Sequence, residues 1–302
     1  MPSKEMQGLI GQMKMMMEKG FVPKFDGGMD VPRLRAVMES AQKAMPTESG
    51  VTFIPETLAG IEAEICTPQN ARADAVIFYI HGGGFVCGNA FTSRGYGSLL
   101  AGETKIPVHT LSYRLAPEHP YPAAVDDCFN AYKDLAQRHT GKPVFLIGES
   151  GGGLLCLTTA LKAKDAGLPL PAGVIAYSPI VDFSGILDRS ANEGKDFTVN
   201  ASWLGAINTM YCPDEGTRKD PYVSPVYGNY VGFPPLFLAW DSTETLAADS
   251  EQIAQMAKEA GVEVQSKSYP DCFHAFATAG RGTPESAEVL AATVTFIKGA
   301  IQ

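Results

Sequence analysis

The sequence has no C-x-x-C pair and no cluster of histidines, although its 302 residues include six cysteines and five histidines. Zinc sites draw their ligands from such close pairs, so no metal is expected. There is no G-x-x-x-x-G-K-[ST] run. Ser150 stands where the middle glycine of G-x-G-x-x-G would fall in Gly148–Gly153. Neither a P-loop nor a dinucleotide fingerprint is supported. No run approaches the ~18 apolar residues of a membrane span. Lys4, Glu5, Lys14, Glu18 and Lys19 interrupt the Met-rich N-terminus, which is not the pattern of a signal peptide. Basic residues are the minority, 24 Lys and Arg against 33 Asp and Glu, for a net charge of −9 and a pI of about 5.1. That balance argues against nucleic-acid binding and against docking on anionic membranes. Internal repeats and low-complexity linkers are absent. Cys66, Cys87, Cys128, Cys156, Cys212 and Cys272 fall mostly in apolar segments and read as buried thiols. A reducing, cytoplasmic setting follows.

What the chain does have is a pair of glycine-rich loops: His81-Gly82-Gly83-Gly84-Phe85, and Gly148-Glu149-Ser150-Gly151-Gly152-Gly153. Each follows an apolar run that reads as a buried strand, Ala75–Ile80 and Pro143–Ile147. The second loop contains G-x-S-x-G, a strand-to-helix turn that thrusts a serine outward and needs glycine on either side. The first is of the H-G-G-G type, whose backbone N–H groups can serve an oxyanion hole. Either loop alone could be an ordinary turn. Both together, each after a strand and in this order, point to a hydrolase.

The length suits one large α/β domain with an appendage. Residues 1–48 read as two helical segments separated by Gly27-Gly28, with stripes at Met6, Leu9, Ile10, Met13 and Met17 and at Leu34, Val37, Met38 and Ala41. Such a stripe can dock on the body, line a hydrophobic site as a lid, or both. From residue 51 strands and helices alternate. The expected strands are Val51–Pro55, Ile61–Thr67, Ala75–Ile80, Pro107–Tyr113, Pro143–Ile147, Gly173–Ser178, Pro235–Trp240 and Val262–Tyr269. This predicts a mostly parallel central sheet flanked by helices. Residues 182 to about 232 break the alternation and read as an inserted binding element.

A serine nucleophile needs a base, and the base needs an orienting acid. Of His81, His109, His119, His139 and His274, only the last follows Ser150, in the loop after the expected final strand. His274 is the base that the order Ser, acid, His requires. His81 reads as a support that fixes the first glycine loop. The acid should follow Pro235–Trp240, where Asp241, Glu244 and Asp249 stand. Spacing does not choose among them. Asp249 is expected on the solvent side of the following helix, and Asp241 can end the strand or cap that helix.

Over roughly residues 50–300 the chain resembles the hormone-sensitive-lipase family of bacterial esterases. The matching stretches are Tyr79–Phe85, Tyr113–Asp127 (Y-R-L-A-P-E-H-P-Y-P-A-A-V-D-D), Gly148–Gly153, Asp220–Pro225, Pro234–Ser250 and His274. The resemblance implies an α/β-hydrolase fold capped by residues 1–48 and an insertion at about 182–220. It implies a carboxylesterase for short or medium acyl esters, without metal or organic cofactor. It assigns Ser150 as nucleophile, His274 as base, and Gly83, Gly84 and Gly151 as oxyanion donors. Two departures stand out. The family's G-D-S-A-G-G is G-E-S-G-G-G here, and Glu244 occupies the slot usually held by aspartate. Relatives that cleave lactones or remove acetyl groups share the triad, and a receptor role without catalysis is the rival from another class. Oligomeric state stays open, a homodimer being common among similar proteins.

Overall fold

The structure is a computed structural model and describes residues 1–20 and 30–301. The Gly27-Gly28 break lies outside the described residues. Eight strands form one sheet in the order β1-β2-β4-β3-β5-β6-β7-β8. They are β1 (Val51–Leu58), β2 (Ile61–Pro68), β3 (Val76–Ile80), β4 (Val108–Leu111), β5 (Val144–Glu149), β6 (Gly173–Tyr177), β7 (Leu236–Asp241) and β8 (Val264–Tyr269). β1 pairs antiparallel with β2, and β2 antiparallel with β4; the other neighbours run parallel. This is an α/β-hydrolase architecture, and all eight expected strands are present within a few residues of their expected limits.

The central strands are apolar throughout because both faces are covered. In β3, Val76, Phe78 and Ile80 enter one core and Ile77 and Tyr79 the other. β5 splits likewise, with Val144 and Leu146 opposite Phe145 and Ile147. One core is closed by α4 (Ala123–Arg138), α5 (Gly151–Asp165) and α7 (Ala247–Glu259), the other by α3 (Arg94–Thr104) and α8 (Pro284–Gly299).

The two N-terminal helices go to different places. On α1 (Lys4–Glu18), Met6 is fully buried and Leu9, Ile10 and Met13 pack against the α8 side. Ser3 binds the Glu285 carboxylate through both its N–H and its hydroxyl, at 2.6 and 2.8 Å. On α2 (Val31–Ala44), Val31 and Leu34 enter the opposite core. Arg35 donates to the carbonyls of Val86 and Ala116, which ties α2 to the first glycine loop. The insertion after β6 carries α6 (Ala201–Tyr211) and short 3-10 turns at Ser190–Asn192, Glu215–Thr217 and Pro225–Tyr227. It packs over the same loop: Phe85 stacks on Tyr211 at 3.7 Å and tilts against Phe183 at 5.9 Å.

Asp249 corrects a sequence expectation. It does not face solvent; it is fully buried on α7. Its carboxylate accepts from Val181 N–H and from two nitrogens of Arg189, all at 2.7–2.8 Å. The acidic side chain faces inward because it bolts the start of the insertion to the body. Hydropathy cannot show this, since the partner lies 60 positions earlier. Removing one member strands the other charge. Asp249→Ala should lower the unfolding free energy by about 3 kcal/mol, read from urea denaturation, with Asp188→Ala on the exposed rim unchanged as the control.

Candidate active site

The residues singled out in the sequence converge at the carboxyl ends of β3, β5, β7 and β8, where open parallel sheets form their crevice. Ser150 follows the last residue of β5 and opens α5. Its φ of 54° and ψ of −121° lie in a region that L-residues seldom occupy. Its N–H donates to Tyr177 O and its carbonyl accepts from Leu154 N–H, so the turn is pinned on both sides. The flanking glycines are required by contact. A Cβ on Gly152 would stand 2.0 Å from Ile80 O, and one on Gly148 2.5 Å from Gly152 O. The start of α5 can therefore press against the end of β3 only without side chains. At Gly151 a Cβ would meet the Phe85 ring at 3.2 Å, so the alanine of the family motif would need that ring to give by a few tenths of an ångström. Gly151 thus faces a side chain, whereas Gly152 faces backbone that cannot yield.

The first loop is strained in the same way. Gly83, Gly84 and Phe85 all have positive φ, at 96°, 59° and 64°. Gly84 lies beneath α6, since a Cβ there would stand 2.7 Å from the Trp203 ring. The loop's carbonyls are held from below. Tyr113 OH donates to His81 O at 2.9 Å, and Val86 and Cys87 N–H donate to Gly83 O. His81 stacks on Tyr113 with ring centroids 4.2 Å apart, and its Nδ1 lies 2.8 Å from Gly82 O. Burial holds the His81 imidazole down to about 4, so the ring is neutral and packs as a strut. Glu149 ties the two loops together: its Oε1 accepts from Gly82 N–H at 2.6 Å and its Oε2 from Tyr79 OH at 2.7 Å.

His274 and Glu244 meet on the other side. Nδ1 of His274 lies 2.8 Å from Glu244 Oε2, and both side chains are almost entirely buried. Nε2 is buried and without a hydrogen-bond partner among the described residues. An imidazole fixed in this way presents Nε2 as its proton acceptor. Burial disfavours the imidazolium, but Glu244, with Asp196 and Glu149 beyond it, outweighs burial and raises His274 above its ordinary range. Burial pushes the Glu244 carboxyl up, while the imidazole beside it pulls the other way.

Asp241 does not take part in this pair. It ends β7, and its Oδ1 accepts from Thr243 N–H and hydroxyl at 2.9 and 2.8 Å, bracing the turn that delivers Glu244. The Glu244 loop is also held by the insertion. Asn192 Nδ2 donates to the carbonyls of Ser242 and Glu244, both at 3.0 Å. Asp196 accepts from Thr245 N–H, and Thr245 OH donates to Val199 O. Sequence reasoning missed Asn192, Asp196 and the loop-bridging part of Glu149. Glu149 was visible as a departure within the serine motif. Asn192 and Asp196 lie in a stretch without periodicity and gave no signal.

A family model described as alpha/beta hydrolase fold matches residues 77–278. An esterase of Acinetobacter venetianus is 33% identical over 265 residues, spanning 87% of this chain and 87% of its own. An acetyl-hydrolase of Streptomyces hygroscopicus is 30% identical over 235 residues, 76% and 78% of the two chains. Among solved structures, a hormone-sensitive lipase from a metagenome library superposes with a TM-score of 0.91 at 32% identity, covering 100% of this chain and 99% of that one. The chain belongs to the α/β-hydrolase family, in its hormone-sensitive-lipase branch. It is a carboxylesterase-type hydrolase.

The close approach at Gly152 gives a direct test of the serine turn. Gly152→Ala should displace Ile80 or α5 and cost about 1–3 kcal/mol or more, with loss of organophosphate labelling at Ser150. Gly151→Ala should leave both labelling and melting temperature near those of the parent.

Proposed function

We propose that the protein cleaves short- to medium-chain carboxylic esters by two-step acyl transfer, with Ser150 as nucleophile, His274 as general base and Glu244 as the orienting acid. The observation that carries this reading is the Glu244–His274 hydrogen bond at the sheet end that also bears the strained Ser150 turn. Ser150 attacks the ester carbonyl while Nε2 of His274 takes the hydroxyl proton. The developing oxyanion is met by the N–H groups of Gly83, Gly84 and Gly151, each such donor being worth ~3 kcal/mol of barrier. His274 returns the proton to the departing alcohol. Water, deprotonated by the same nitrogen, then cleaves the acyl-enzyme and releases the acid. Glu244 keeps the Nδ1–H tautomer and stabilises the imidazolium without taking the proton itself. Residues 1–48 and about 182–220 act as the cap, with α2 and α6 covering the first glycine loop.

Ester hydrolysis with graded acyl chains is the first experiment. Ser150→Ala should abolish turnover, and normal turnover by that variant would sink the mechanism. Glu244→Gln should lower kcat by ~10⁴ through loss of the correct tautomer, with Asp241→Asn affecting it much less. The reverse ranking in two folded variants would give the role to Asp241.

The base works only when neutral, so kcat/KM should fall as pH drops through the His274 pKa. With that pKa raised, the midpoint of the acid limb should lie above the usual histidine value of about 6.5. Glu244→Gln leaves burial as the dominant influence and should move the residual limb to lower pH. An unmoved limb would separate His274 from Glu244.

A further inference from the structure

Beneath α2, beside the first glycine loop, lies a cavity of about 100 Å³. Met38 and Met45 form one wall, Tyr79 and Tyr96 another, and Glu149 opens on it. The two tyrosine rings stand 5.6 Å apart at 52°. No Arg or Lys lines the space among the described residues. The other titratable groups at its surface are neutral: burial holds His81 down and pushes the Cys87 thiol up to about 12, and raises both phenols. The Glu149 carboxylate accepts from neutral donors, among them the Gly82 N–H and the Tyr79 hydroxyl. Each carboxylate oxygen keeps a further lone pair. Burial pushes the Glu149 carboxyl up to about 7, against the pull of its hydrogen bonds and of His274 beyond them. A positive ligand in the cavity would hold it ionised, and aromatic faces add to that preference.

The cavity adjoins the candidate site, although neither Ser150 nor His274 is part of its lining. Glu149 directly precedes Ser150, and Gly82 and Gly83 form part of the lining. Thr278 closes the wall, on the 3-10 segment that begins two residues after His274. The departing alcohol takes its proton from His274, so a group held beside that segment belongs to the alcohol. We propose that this cavity is a subsite for an ammonium group on the leaving alcohol, its N–H donated to Glu149. The substrates it favours are acyl esters of small amino alcohols. The assignment rests on the serine mechanism proposed above and adds the substrate class to it.

The test compares dimethylaminoethyl acetate, protonated near neutral pH, with its uncharged isostere isopentyl acetate. The native enzyme should show a kcat/KM about tenfold higher for the cationic ester, the scale of one charge-assisted hydrogen bond. Glu149→Gln should bring the ratio close to one. The ratio cancels any damage done to both reactions through the Gly82 contact. Should that variant fail to fold, inhibition of the native enzyme replaces it. Dimethylaminoethanol should then compete with isopentyl acetate about tenfold more strongly than isopentanol does. Equal kcat/KM for the two esters, equal inhibition by the two alcohols, or a preference that survives Glu149→Gln would each overturn the subsite. Ser150→Ala separates the two ideas. Serine-dependent turnover without discrimination sinks the subsite alone, whereas turnover that survives Ser150→Ala sinks the mechanism and the subsite with it.

Discussion

The contact on which the site depends is a steric one, between the first turn of α5 and the end of β3. Ile80 O sits where a Cβ of residue 152 would be, so the backbones touch. This approach aims Ser150 out of the sheet and brings Glu149 within reach of Gly82 N–H. It also sets the two glycine loops at a fixed separation. A serine on a relaxed turn, or a glycine loop not tied to it, would leave the proposed nucleophile and oxyanion donors to find each other by chance. Effective catalysis requires them held in advance.

The same economy appears on the acid side, where the sheet alone does not hold Glu244. Asp241 braces the turn from within through Thr243, while Asn192, Asp196 and Val199 grip it from the insertion. Glu244 carries a buried carboxylate hydrogen-bonded to His274. A group so desolvated keeps its charge only with its partner in place, and the clamps keep the partner in place.

The fold was legible because its signal is local. Apolar runs bounded by glycine and proline marked all eight strands, and both loops stood out by composition. Ser150 and His274 could be named from chain order, and Glu244 from its slot in the family run. Asp249 was misjudged because helical position alone cannot reveal a buried ion pair with a residue far back in the chain. The insertion was opaque for a related reason. Its order comes from aspartate and asparagine side chains that bond to backbone groups, as with Asp182, Asp196 and Asn192, and not from a periodic apolar face. Such bonds leave only a polar, loop-like composition in the sequence.

Asn192 and Asp196 belong to the insertion that we assign to the cap, yet they hold the loop that carries Glu244. The insertion and the Glu244–His274 pair are therefore not separable modules. A lineage can vary only the exposed positions of α6, since Ile207 and Tyr211 are fully buried and Tyr211 stacks on Phe85 of the glycine loop. It cannot exchange the whole insertion without also exchanging the hands that hold its acid. Any chimaera that grafts a foreign insertion must keep residues 189–199 as the host's own.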